Sequence, residues 1–167
     1  MTTAGQLPIA VTDREFLRHT LATLAYRAGK TLRGAALDFT AFRAGPTTRT
    51  PGEILAHLGD LMAWGHRMAR GDKSWVDSTP GDWKRDVERF FAEVEAFDGY
   101  LAGGEPLVTS AEKLFQGPIA DALWHSGQLA MLRRLAGHQI RGENYAIAQI
   151  EAGRVGLDQP APRREFD

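Results

Sequence analysis

One helical stripe constrains this chain more than any other feature. From Gly117 to Leu135 the spacing predicts a helix that stops at Gly137. Counting three and four alternately from Pro118 selects Asp121, His125, Gln128, Leu132 and Leu135 as the face turned to a helical partner. Its second half is ordinary core. Its first half places a carboxylate, an imidazole and an amide where leucines would pack at lower cost. Burying such groups without partners costs about 1–3 kcal/mol each, so something must compensate them. A second segment offers the partner: Pro51 to Ala69 carries Ile54, His57, Leu61, Trp64 and Met68 at the same spacing, again with a histidine near the start.

Around these two helices the chain reads as all-α. Residues 1–11, with Pro8, form a loose lead-in. Thr12 and Glu15 make a capping box before Leu17, Leu21, Leu24, Ala28 and Leu32, and this first helix is expected to contain Gly29 and Gly34 and to end at Ala44-Gly45-Pro46. Thr50-Pro51-Gly52-Glu53 starts the second helix with an N-cap, a proline at the first position and an acid at the third. Residues 71–81 read as a turn-rich linker. A third helix from about Asp82 carries Trp83, Val87, Phe90, Val94, Phe97 and Leu101 on an uninterrupted apolar face and ends at Gly103-Gly104, with Asp86, Glu88, Arg89 and Glu93 on the solvated side. Thr109-Ser110-Ala111-Glu112 is expected to cap a short helix to Phe115, and Gly117-Pro118 restarts the chain. Asn144 to Ala152 reads as a short extra helix, followed by an extended tail, and no internal repeat is present. The fold expected is a single-domain, up-down four-helix bundle over residues 1–167, with helices 2 and 4 running the same way diagonally across the core.

Equal depth on those helices brings His57, Asp121 and His125 to one level. Two imidazoles and one carboxylate leave coordination positions open on Zn, Fe, Ni or Mn, the vacancy that water or a substrate needs. An Asp–His hydrogen-bonded pair is the simpler alternative. Gln128, one turn beyond His125, is placed as a second contact rather than a ligand, and Trp64, Trp124 and Gln128 are the substrate-pocket residues. His66 should face solvent or a neighbouring subunit, His19 the surface; His138 is a loop histidine, and Arg133 and Arg134 are helix-end charges. Gly153 and Gly156 are too sparse for a phosphate loop and follow no strand.

The totals narrow the function classes. A length of 167 residues with 43% hydrophobic and 25% charged residues is ordinary for a soluble domain. With no cysteine, disulfides, thiol nucleophiles and Cys-type zinc sites are excluded, so any metal is held by His, Asp, Glu or water. A net charge of −1 and no basic stripe give no reason to invoke nucleic acid or an anionic membrane. No apolar run approaches a membrane span and no signal-like segment opens the chain, so the expected location is cytoplasmic.

The segments TPGEILAHLGDLMAW and PIADALWHSGQLAMLRRLAG resemble the DinB/YfiT-like superfamily of four-helix bundles, over most of the chain. The resemblance implies a divalent metal held by three residues. The first of the family's histidines matches His57 and the last His125; the middle one falls on Asp121, where this chain departs from the all-histidine pattern. It further implies a metal-dependent enzyme acting on a small-molecule substrate, with a thiol-dependent S-transferase using a low-molecular-weight thiol, or a hydrolase, among the activities found in the superfamily. The competing reading is a non-catalytic bundle with a structural or ligand-sensing polar pocket, working as a homodimer through helix faces and the tail.

Overall fold

The computed structural model describes residues 11–167; the lead-in reading, up to residue 10, lies outside the described residues. Four helical rods carry the fold. Helix α1 is Asp13–Leu32, α2 is Pro51–Ala69 and α3 is Trp83–Ala102. The fourth rod is composite, with α4 (Ala111–Leu114) and α5 (Ala120–Leu135) joined through a π turn at Phe115–Ile119. The capping boxes read at Thr12 and Thr50 are present, whereas Ser110, before the short helix at Ala111, makes no side-chain cap hydrogen bond. Thr12 and Glu15 form a reciprocal box at α1, as do Thr50 and Glu53 at α2 behind Pro51, and Asp82 caps α3 by accepting from the Arg85 N–H at 3.1 Å.

Three element boundaries differ from expectation. Helix α1 stops at Leu32, because Arg33 is already extended; a 3-10 turn at Leu37–Ala41 follows and buries Phe39 edge-on to Trp83. The fourth rod begins at Ala111 and passes straight through Gly117-Pro118. Proline lacks the N–H that an α-helix would use and its ring crowds the carbonyl four residues back; a widened i→i+5 turn accommodates both without breaking the rod. The expected helix from Asn144 to Ala152 is reduced to a single 3-10 turn, Tyr145–Ile147. Beside it Gly142–Glu143 pairs antiparallel with Glu165–Phe166, a two-stranded ribbon no sequence signal announced.

Residue pairs set the directions of the rods. Arg18 pairs with Asp98 while Gly29 lies against Phe91, so α1 and α3 are antiparallel. Phe16 meets Phe115, and Arg133 reaches the Thr31 carbonyl, so α1 and the fourth rod run together. Asp60 pairs with Arg89 and Gly65 touches Phe97, making α2 and α3 parallel. The Val108 N–H donates to the Ala69 carbonyl at 2.9 Å and Gly117 lies against Trp64, so α2 and the fourth rod are antiparallel neighbours. The helices expected to be diagonal and parallel are therefore side by side and opposed, and the order departs from strict up-down alternation. Residues 70–82 make this order possible. Parallel neighbours need a connection that returns along a whole helix, here about 28 Å, which a thirteen-residue extended segment spans.

The core is built from the apolar faces of all four rods, including Leu21, Leu58, Met62, Phe90, Phe97 and Leu129. Among the described residues no helix is long and apolar enough to cross a membrane. Two charged groups expected on the surface are instead structural. Arg89 lies over α2, donating to the Asp60 carboxylate at 2.9 Å and the Ala56 carbonyl at 2.6 Å. Arg133 is only 7% exposed and donates to the carbonyls of Thr31, Arg33, Gly34 and His138. It satisfies the end of α1 rather than that of its own helix. Burial pushes its pKa down from the ordinary guanidinium value. Replacing Arg133 by Met should therefore lower stability by about 3 kcal/mol in urea unfolding, whereas Arg134→Met, at an exposed position, should stay within about 0.5 kcal/mol.

Candidate metal centre

The polar stripe lies on the shoulder of its helix, not on its buried face. In α5 the buried positions are Ala122, Ser126, Leu129, Leu132 and Arg133, which turns Asp121, His125 and Gln128 toward the groove shared with α2. Leu135, expected in the same stripe, is exposed. In α2 the deep positions are Ile54, Leu55, Leu58, Leu61 and Met62, and His57 and Trp64 are half-buried beside them. The two shoulders face each other because the helices are neighbours. The site is thus a groove between adjacent rods, where it meets both protein and solvent.

Within it, His57 Nε2 lies 3.6 Å from Asp121 Oδ2, and His125 Nε2 lies 3.5 Å from Asp121 Oδ1. The imidazole rings stand edge to face with centroids 4.8 Å apart. These separations are too long for hydrogen bonds, which close at about 2.7–3.2 Å. They lie close to the distance of about 3.3–3.5 Å between two donors that each sit about 2.0–2.1 Å from one tetrahedral ion. The three residues form a group that could hold a metal ion, with one ligand atom from each within 4.8 Å of the others. Asp121 is also within ion-pair reach of both imidazoles.

Gln128 completes the donor set from behind. Its Oε1 lies 2.8 Å from His125 Nδ1, a contact that needs the proton on Nδ1 and so leaves the Nε2 lone pair free toward Asp121 and His57. Gln128 therefore orients a ligand and does not line the pocket. Trp64 and Trp124 do line one: with Gln116, Gly117, Ala120 and Asp121 they wall a cleft of about 390 Å³. Asp121 belongs both to the donor group and to the cleft wall, with 46% of its side chain exposed, whereas both histidines are more deeply set.

Sequence reasoning missed Trp75. It sits in the returning linker, and its indole stands edge-on to both His57 and Trp64 at 5.6 Å. Its Nε1–H donates to Asp77 at 2.9 Å, which fixes the ring. No local signal marks it, since its place depends on a linker folding back along α2. His66 also differs from expectation: it lies against Phe97 and Tyr100 of α3 instead of facing solvent. His19 is exposed, as read.

Burial pushes the pKa of His57 down from its ordinary value, and the neighbouring His125 and Arg49 side chains push the same way against the Asp121 carboxylate. His66 is lowered too, by burial and then by Arg70 and Arg67. The folded state thus keeps both imidazoles neutral where the unfolded chain would protonate them. Their contribution to stability is complete above about pH 6.5 and is lost as the pH falls through each folded-state pKa. In the metal-free protein the urea midpoint should accordingly fall between pH 7 and pH 5. His57→Gln should flatten that dependence, and His19→Gln should leave it unchanged.

No protein-family model, no curated protein and no solved structure matches the chain.

Proposed function

We propose that this chain is a DinB/YfiT-like metal-binding protein and a metal-dependent enzyme for a small-molecule substrate. In this reading His57, Asp121 and His125 hold one divalent ion of the Zn, Ni, Fe or Mn type. The observation that carries it is the pair of 3.5 and 3.6 Å separations between imidazole nitrogens and carboxylate oxygens, beyond hydrogen bonding and at the spacing of co-ligands.

An ion held by three protein groups supplies a Lewis acid that lowers the pKa of a water or a thiol toward neutrality. The chain's own residues do the rest. His57 offers a neutral nitrogen at neutral pH because burial disfavours its charged form. His125 is held in one tautomer by Gln128. Asp121 brings the negative charge that offsets the cation and presents it at the cleft where a substrate enters. The absence of cysteine leaves no protein thiol to compete with a low-molecular-weight thiol for the ion, which favours thiol transfer over hydrolysis among the activities considered.

Equilibrium dialysis against zinc with elemental analysis tests the reading. Wild type should retain one ion per chain, and His125→Ala and Asp121→Ala should each weaken retention by more than a hundredfold. Gln128→Ala should cost about 10–100-fold while keeping the stoichiometry, as loss of an orienting partner does. Wild type without stoichiometric metal, folded normally, would instead support a polar groove of structural or ligand-sensing purpose.

A further inference from the structure

The cleft beside the donor group has a composition that speaks to its occupant. Two indoles wall it, and Trp124 is 70% exposed. An exposed tryptophan next to polar donors leaves a large apolar face uncovered, and ligand sites are where such faces collect. Trp64 is held ready: Trp75 stands edge-on to it at 88°, and Trp75 is itself pinned by Asp77. Gly117 keeps the space beside Trp64 open, since a Cβ there would lie 3.7 Å from Cζ3 and 3.8 Å from Cη2 of the indole. Among the described residues no lysine or arginine lines the cleft itself, and Arg49 acts on the donor group from the His57 side. Among the described residues the charged group on its wall is Asp121, which the donor group shares.

We propose that the small molecule taken at this site carries an anionic, metal-binding head on a flat aromatic body, the head directed to the donor group and the body set between Trp64 and Trp124. This rests on the metal-binding reading and adds the ligand class to it. The division of labour follows from the lining. A negative head directed to the donor group finds compensation at the ion, with Arg49 acting on His57 from nearby. A planar ring gains stacking on indole faces that a short aliphatic chain of the same head group does not. The preformed position of Trp64 keeps the ordering cost of binding low.

Acetohydroxamate and benzohydroxamate share one metal-binding head and differ in the ring, so the pair isolates the inference. Titrations of the zinc-loaded protein, followed by tryptophan fluorescence with zinc content measured on the same samples, should give at least tenfold tighter binding for benzohydroxamate. Trp124→Ala, at an exposed position, should abolish that preference while leaving zinc content and acetohydroxamate affinity unchanged. Gly117→Ala meets no clash and should weaken benzohydroxamate alone by narrowing the slot. Equal affinities in wild type, or a preference that survives both substitutions, would overturn the inference while zinc retention left the metal reading standing. Failure to retain zinc would overturn both.

Discussion

Three helices touch at Gly65, and the site depends on that contact. A Cβ at this position would lie 2.7 Å from Phe97 Cε1 and 3.1 Å from Pro118 Cγ, so only hydrogen fits between α2, α3 and the π turn. The close approach sets the register of α2 against the fourth rod. From Gly65 back to His57 is about 12 Å along α2, and from Pro118 forward to His125 about 10.5 Å along α5. Because the two helices are opposed, these steps run in the same direction in space and end at the same level. A bulkier residue at 65 would push the rods apart and separate the imidazole of α2 from the two donors of α5, with no ligand itself altered.

The linker between α2 and α3 is held by the same logic of satisfied burial. Asp60 is almost fully buried and accepts from the Ser78 N–H at 2.8 Å, the Ser78 hydroxyl at 2.6 Å and Arg89 at 2.9 Å. A buried carboxylate left without these donors would be strongly unfavourable, so the linker is tied to α2 where it passes Asp60. That anchor delivers Trp75 to His57 and Trp64. Glu143 plays a comparable part against α1: Tyr26 donates to it at 2.6 Å and Lys30 at 2.8 Å, and Lys30 also pairs with Glu165 on the opposite strand. The short ribbon is thereby fastened to α1 by charge rather than by length.

What could be read from the sequence was whatever is encoded locally. Thr12, Thr50 and Asp82 announced helix starts because a cap is a contact within four residues. His57, Asp121 and His125 stood out because polar groups interrupted apolar stripes, and all three do come together. Helix direction was not legible, since a linker of thirteen residues is long enough either to turn or to return. Trp75, Arg89 and Arg133 act on elements far from them in sequence, and nothing beside them records the partner.

The shift of the polar stripe out of the core has a definite cause in the π turn. A regular helix continued from the buried Leu114 at 3.6 residues per turn would bury positions near 118, 121, 125, 128 and 132, the stripe the sequence suggested. A single π turn adds about one residue and rotates everything after it by about 100°. Ile119, Ala122, Ser126, Leu129 and Arg133 then enter the buried set, in which Pro118 and Leu132 also remain. Asp121, His125 and Gln128 are thereby moved from the bundle axis to a groove that opens on solvent. Gly117-Pro118, which looked like a break, is the device that performs the rotation. It lifts the donors out of a core where their desolvation would be hard to offset, yet leaves them close enough to α2 to meet His57.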